Sequence, residues 1–566
     1  MEVTPSPTAL CSRDERFKVK PGADLSALLK SGADIAWCAE LLELSHTGAL
    51  LALDGEIAAG VVVTLCLMHE GKLAFEDQAT VMRVDPRDPC RVAVAFSARP
   101  PLEALSDALL PQAYVRDELA MPQQRDRGGA ARMCRVNDFF RLKSPDLFAK
   151  CVAFSEGAGE LQRAGMYQAL YRVTLTTALD HRAVVFNPLT GREEVMVCFD
   201  SNSYLGLHLH PKVVAASRAV LDLVGYGTPS AQVLGGTSRY LRELEARLCE
   251  FYGREDAIVF PSGYAANQGL LTALLREDDL VVRDQFSHAS IQDGSAMSLS
   301  HRQRVFRHGD LASLEKILTS EAQRGELQGR LIATDGVFSM HGAVADLPGL
   351  VSVAARHGAR LLVDEAHATG VYGATGHGTE ELFGMPGSID VLMGTFSKAP
   401  GTIGGYVCGS KALVTYLRFF ARSGLFTAAL PAHLCAGVTE AFNVMEREPE
   451  HRERLWANTF RLHAMLMSAG LPVSPTVSPI ITVFSGATPM LWSLAASLFA
   501  SGVKVGTVDH PAVARGETIL RITVNARHTE GDLEQLCAAL LAAYKGHGLL
   551  GKTTDEIRAM GLALER

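Results

Sequence analysis

Between residues 41 and 96 the apolar positions come in short runs. Ala49-Leu50-Leu51-Ala52-Leu53 leads to a turn at Asp54-Gly55, and 61–67 is a second run. Residues 79–84 alternate up to Asp85-Pro86-Arg87-Asp88-Pro89, and 91–96 close the series. Runs of about six residues punctuated by Gly, Pro and Asp predict a small antiparallel β-barrel. The polar, charged stretch 118–131, with Gly128-Gly129, predicts a linker. Beyond Asp138 the pattern changes. Helical periodicity at 211–223 and 238–252, the latter with Leu241, Leu244 and Leu248 on one stripe, alternates with strand-like runs at 257–260, 280–282, 331–334, 361–363 and 391–393. That rhythm predicts an α/β fold with a doubly wound, mostly parallel sheet and ligands at the carboxyl ends of its strands. The expected organisation is a barrel domain over 1–117, a linker over 118–137 and a catalytic region over 138–566. Within that region the large domain covers about 185–430 and a smaller C-terminal α+β part about 431–545.

Composition narrows the class. The chain has 566 residues, 48% hydrophobic and 20% charged, with a net charge of −8. Such a length implies two or more domains. A mildly acidic chain without a Lys/Arg block gives no reason to expect nucleic acid or an anionic membrane surface. The eleven cysteines are scattered, with no CxxC and no paired spacing with histidine, so no metal site is expected and reduced thiols are. The first thirty residues show no basic start followed by an apolar core, and the apolar stretches 57–68 and 536–544 are too short to span a bilayer. A cytoplasmic enzyme is the expectation.

The chemistry concentrates around Lys398. It lies in Gly394-Thr395-Phe396-Ser397-Lys398-Ala399, with Gly401, Gly404 and Gly405 behind it, and upstream an apolar run ends in Asp364-Glu365-Ala366-His367. One strand delivering an acid and a later one delivering a lysine suit pyridoxal 5'-phosphate (PLP). The amine forms a Schiff base with the cofactor aldehyde, and the carboxylate keeps the pyridine nitrogen protonated. Other residues fall where such a ligand would lie. Gly263-Tyr264 follows a strand and opens a helix, which makes a phosphate cradle. His288 can stack on a pyridine ring, Ser339 can offer a hydroxyl, and His367 is within reach of the same ligand. Arg521, a charge in the apolar run Leu520–Val524, needs an anion if buried. Each has a plain structural alternative: a satisfied histidine, a loop-capping serine, an exposed arginine on an edge strand.

Residues 138 to about 544 resemble the α-oxoamine synthases, PLP enzymes of aminotransferase fold type I. The resemblance is carried by Phe199-Asp200-Ser201-Asn202-Ser203-Tyr204-Leu205-Gly206-Leu207, by 261–267, His288-Ala289-Ser290, 335–340, 363–367 and 394–399. It implies that Lys398 carries PLP, Asp364 pairs the ring nitrogen and His288 stacks on the ring. His367, Ser339 and Thr395 would hold the ring oxygen and phosphate with the Gly263-Tyr264 backbone, while Asn202 and Arg521 would grip the amino-acid carboxylate. It also implies a homodimer, with Thr427 reaching the partner's phosphate. The implied reaction is decarboxylative condensation of serine, glycine or alanine with an acyl-CoA or acyl-carrier-protein thioester, with a slight lean towards serine palmitoyltransferase-like members. The chain departs from the family pattern at Leu241, where many members have histidine, and at His341, where many have aspartate. Residues 35 to about 100 resemble a PilZ domain through Glu43-Leu44-Ser45-His46-Thr47-Gly48. The arginine pair that would clamp cyclic di-GMP is missing, since Arg13 and Arg16 stand one residue too close. The remaining alternatives are an aminotransferase, or a cyclic-di-GMP-responsive signalling protein whose PLP fold is a platform.

Overall fold

In the computed structural model the described residues are 142–163, 172–187, 190–325, 329–510, 512–514 and 516–564, together with the backbone of eight strands between 16 and 112. The chain divides into two units, 1–160 and 161–566. The expected linker, the turn at Asp54-Gly55, Arg13 and His46-Thr47 lie outside the described residues.

In the first unit the strands are β1 (Arg16–Val19), β2 (Leu25–Ser31), β3 (Asp34–Ser45), β4 (Gly48–Leu53), β5 (Val62–His69), β6 (Lys72–Asp85), β7 (Asp88–Phe96) and β8 (Leu109–Gln112). The pairings run β2-β5-β6-β7-β4-β3, and β3 pairs back to β2. All are antiparallel, so six strands form a closed ring, with β1 and β8 added at β3. Closure leaves no free edge in the ring.

The second unit is built on two sheets. The larger joins β12 (Asp256–Phe260), β13 (Leu280–Asp284), β14 (Arg302–Phe306), β15 (Arg330–Asp335), β16 (Arg360–Asp364), β17 (Val391–Thr395) and β18 (Gly405–Gly409) in the order β12-β18-β17-β16-β15-β13-β14. Only β18 runs antiparallel to its neighbours. From β13 the chain steps outward to β14 and then back across to β15, so the sheet reverses direction between β13 and β15. Crevices at such reversals hold ligands. The helix Arg239–Tyr252 shows how locally the elements are set. Ser238 accepts from the Leu241 N–H at its start, Gly253 ends it in the left-handed region at φ 60°, and Leu241, Leu244 and Leu248 are fully buried.

The second sheet has the order β19-β21-β20-β11-β10-β9, from β9 (Thr174–Leu175), β10 (Arg182–Asn187), β11 (Arg192–Phe199), β19 (Ile480–Gly486), β20 (Val503–Val508) and β21 (Thr518–Thr523). The β10–β11 hairpin, assigned from the sequence to the start of the large domain, thus hydrogen-bonds in the C-terminal sheet, with β11 parallel to β20. Alternating local pattern identifies a strand but not its distant partner. Among the described residues, no helix is long and apolar enough to cross a membrane.

Candidate active site

The carboxyl ends of β13, β15, β16 and β17 bring the sequence-predicted residues together. Asp364, the last residue of β16, is 4% exposed. Its Oδ2 accepts from Asn267 Nδ2 at 2.8 Å and its Oδ1 from the Ala366 N–H at 3.0 Å. On the neighbouring strand Asp335 stands in register with it. Burial and then the Asp364 charge push the Asp335 carboxyl well above the usual carboxylate range, and its Oδ1 accepts the His288 backbone N–H at 3.0 Å. His288 caps the helix Ala289–Met297, and its Nδ1 lies 2.7 Å from Ser290 Oγ, which Asn267 also reaches at 2.9 Å. Lys398 follows β17. Burial, reinforced by the Arg521 guanidinium and opposed by Asp364, pushes its amine down to about 8.

His367 is buried, and that burial, with the charges of Lys398 and Arg521 nearby, holds its imidazole well below the ordinary histidine range. Its Nδ1 is 2.7 Å from the Tyr204 hydroxyl, a phenol that burial holds above its ordinary range. Tyr204 has φ 48°, a left-handed conformation uncommon for a bulky residue, and the Ala526 N–H holds its carbonyl at 2.7 Å. Thr395 Oγ1 donates to the Gly404 carbonyl at 2.8 Å and lies 2.9 Å from Ser397 Oγ. A Cβ on Gly263 would fall 2.8 Å from Thr395 Cβ, so only glycine fits there. The helix Gly263–Leu274 begins at this contact. Ser262 accepts from the Ala265 N–H, while the Gly263 and Tyr264 N–H groups have no acceptor among the described residues. The Tyr264 side chain turns outward and its hydroxyl donates to Asp293.

Arg521 is not on an edge: β21 runs between β19 and β20, and the residue is 9% exposed. Its Nε donates to the Ser339 carbonyl at 2.6 Å, and its two terminal nitrogens to Thr523 Oγ1 at 2.9 Å and Asn202 Oδ1 at 3.0 Å. All three acceptors are neutral, and among the described residues no carboxylate pairs with it. Ser339 therefore meets Arg521 through its backbone carbonyl. Sequence reasoning passed over Asn267, Ser290 and Tyr204 as site residues. All three stand inside the motifs already quoted, but hydrogen-bond partners far apart in sequence leave no local signal. Elsewhere among the described residues, the ligand-type atoms of His210, Glu448 and His451 lie within 4.8 Å of one another. Lys212 pairs with Glu448 at 2.7 Å and Arg454 donates to His451 Nδ1 at 3.0 Å, so this group reads as an ionic tie between helix ends.

PLP fits this arrangement. A buried carboxylate stands ready for a pyridinium N–H, and a lysine has its amine pushed towards the neutral form. Two free N–H groups open a helix where a phosphate would lie. The pattern of the aminotransferase class I and II family matches residues 194–540. The chain is 40% identical over 408 residues to 4-hydroxy-2,2'-bipyrrole-5-methanol synthase PigH of Serratia sp., covering 72% of this chain and 62% of that one. It is 38% identical over 347 residues to 8-amino-7-oxononanoate synthase 1 of Bacillus subtilis, covering 61% of this chain and 88% of that one. Among solved structures, a serine palmitoyltransferase variant from S. paucimobilis with a bound PLP–myriocin aldimine superposes with a TM-score of 0.67 at 31% identity, over 72% of this chain and all of the other. Family pattern, relatives and fold agree, and the chain belongs to the α-oxoamine synthases, PLP-dependent acyltransferases of aminotransferase fold type I.

Proposed function

We propose that the protein condenses a small amino acid (serine, glycine or alanine) with an acyl-CoA or acyl-carrier-protein thioester, with loss of CO2 and the thiol, to give an α-amino ketone. The observation that carries this reading is Arg521, a buried guanidinium bonded only to neutral groups and awaiting an anion. Asn202 shares that guanidinium, and the two together clamp the amino-acid carboxylate. Fixing the carboxylate selects which bond at the α-carbon stands perpendicular to the cofactor ring. Lys398 would hold the cofactor through its amine and, once the substrate's amine displaces it, would be free to take the α-proton. Asp364 would hold the pyridine nitrogen protonated, and His288 would lie on the ring face. His367 and Ser339 serve the ring oxygen and phosphate, with Thr395 and the Gly263 and Tyr264 N–H groups. Bound there, PLP supplies the electron sink for negative charge developing at the α-carbon.

A homodimer belongs to the same proposal. Tyr226, Val233, Leu234 and Phe426 are 88%, 58%, 83% and 71% exposed. The bridge between Ala231 and Ala428 draws their segments together beside Thr427. A second copy covering this apolar surface brings Thr427 to the partner's phosphate. The described cysteines are all free thiols, which supports a reducing, cytoplasmic setting. The functional test is visible absorbance of the purified protein titrated with glycine, L-serine and L-alanine, followed by thiol release from acyl-CoAs. A cofactor band that shifts with one amino acid, followed by CoA release, is expected. Keto-acid formation without CoA release would make the protein an aminotransferase.

A further inference from the structure

We propose that Asn267 and Ser290 are positioning residues that fix the tautomer of His288 and bind it to Asp364 as one hydrogen-bonded unit; this rests on the reading that Asp364 and His288 face PLP. Asn267 is fully buried, and its Nδ2 donates to Ser290 Oγ at 2.9 Å and to Asp364 Oδ2 at 2.8 Å. The orientation of the amide is forced. Turning its oxygen to Asp364 would set two acceptors face to face. Both Asn267 N–H bonds are then spent, so Ser290 Oγ receives one and directs its own single proton to His288 Nδ1, 2.7 Å away. The Ser290 backbone N–H points at the same nitrogen from 3.2 Å. With two donors aimed at Nδ1, the ring's proton resides on Nε2.

The packing of the two helices makes this bridge possible. Asn267 is on Gly263–Leu274 and Ser290 on Ala289–Met297. They approach closely at Gly294, where a Cβ would lie 2.9 Å from Leu271 Cδ1 and 3.1 Å from the Asn267 carbonyl. Two consequences follow for the site. A His288 ring with Nδ1 engaged in this way is held in one orientation towards the place the cofactor would take. Its Nε2–H has no acceptor among the described residues. At the other end, Asn267 holds Asp364 with one carboxylate oxygen fixed, so the geometry of the acid and of the stacking ring are set by the same side chain.

The test compares N267S, S290A, the double variant and S290T. Cofactor affinity of each apoprotein is measured by equilibrium dialysis, and the pH dependence of the bound-cofactor absorbance band is recorded beside it. N267S and S290A are each expected to weaken PLP binding about tenfold and to move the band's titration in the same direction. The double variant should lose little more than either single one, because both break the same bridge. S290T, which keeps the hydroxyl, should behave as the wild type does. If S290A does not fold, N267S reads the same connection. Wild-type affinity and titration in N267S, or single effects that multiply in the double variant, overturn the inference. A wild-type protein without a cofactor band, or with borohydride labelling of a lysine other than Lys398, overturns the functional reading and this inference with it.

Discussion

The two sheets that meet at the site are in different electrical states. On the edge of the seven-stranded sheet three polar side chains are already tied within the chain. Asp364 is held by Asn267, Asp335 has its carboxyl pushed up by burial and accepts the His288 N–H, and Thr395 is bonded to Gly404. On the six-stranded sheet Arg521 keeps a full charge against neutral acceptors only. The first edge is built before its ligand arrives. The second is completed only by an anion, and a substrate carboxylate is the natural one. Damage to each sheet should therefore read out on a different ligand.

The largest effect separates the chemistry from both. Lys398→Ala removes the attachment point and the proton acceptor together. Loss of the proton transfer alone costs about 10²–10⁴-fold in rate, measured as CoA release, and borohydride should no longer fix cofactor to the chain. Retained labelling in this variant would move the site elsewhere. Next in size, Arg521→Lys keeps the charge but loses the planar fork. Losing one charge-assisted hydrogen bond weakens amino-acid binding by about 10–150-fold, read from the absorbance titration, while cofactor affinity should stay within about twofold. Loss of cofactor with unchanged amino-acid binding would dissolve the contrast between the sheets.

Most of the seven-stranded edge was legible in the sequence because each of its residues follows its own strand: Asp364 ends an apolar run, Lys398 comes three residues after β17, and His288 lies shortly beyond β13. Local pattern reports such positions directly. Two strands escaped it. Arg302–Phe306 carries charges at alternate places because it is the outermost strand, and Gly405–Gly409 reads as a glycine-rich turn although it is fully buried. The membership of the β10–β11 hairpin in the C-terminal sheet was not legible, since partners some three hundred residues apart leave no local trace. For the same reason the sequence left Arg521 balanced between edge and interior. Its meaning came from the strands on either side.

The contrast also predicts how cofactor capture responds to pH. Capture needs the neutral amine of Lys398, whose pKa is lowered to about 8 by burial and by Arg521. The second-order rate of PLP incorporation into apoprotein should rise about tenfold per pH unit up to about 8 and then level off. An ordinary lysine would keep rising towards about 10.4. In Arg521→Met the plateau should move upward, because the charge that helps depress the amine is gone. An unmoved plateau would mean that burial alone sets it, and that the two sheets do not communicate through Lys398.

The smallest effect tests whether the seven-stranded edge carries its second acid in neutral form. Asp335→Asn preserves the acceptor for the His288 N–H and removes the titrating group. In the wild type the folded-state pKa of Asp335 is raised, so above about pH 3.9, the ordinary value, the unfolded chain binds fewer protons there than the native one. Stability contributed by this group is then complete below that pH and declines as pH rises towards the folded-state pKa. The variant lacks that decline. Its melting temperature should match the wild type in acid and exceed it near neutrality, by a few degrees at most. The opposite trend, with the variant losing ground as pH rises, would require Asp335 to be the charged member of the pair. Asp364 would then no longer be the acid that holds the cofactor nitrogen.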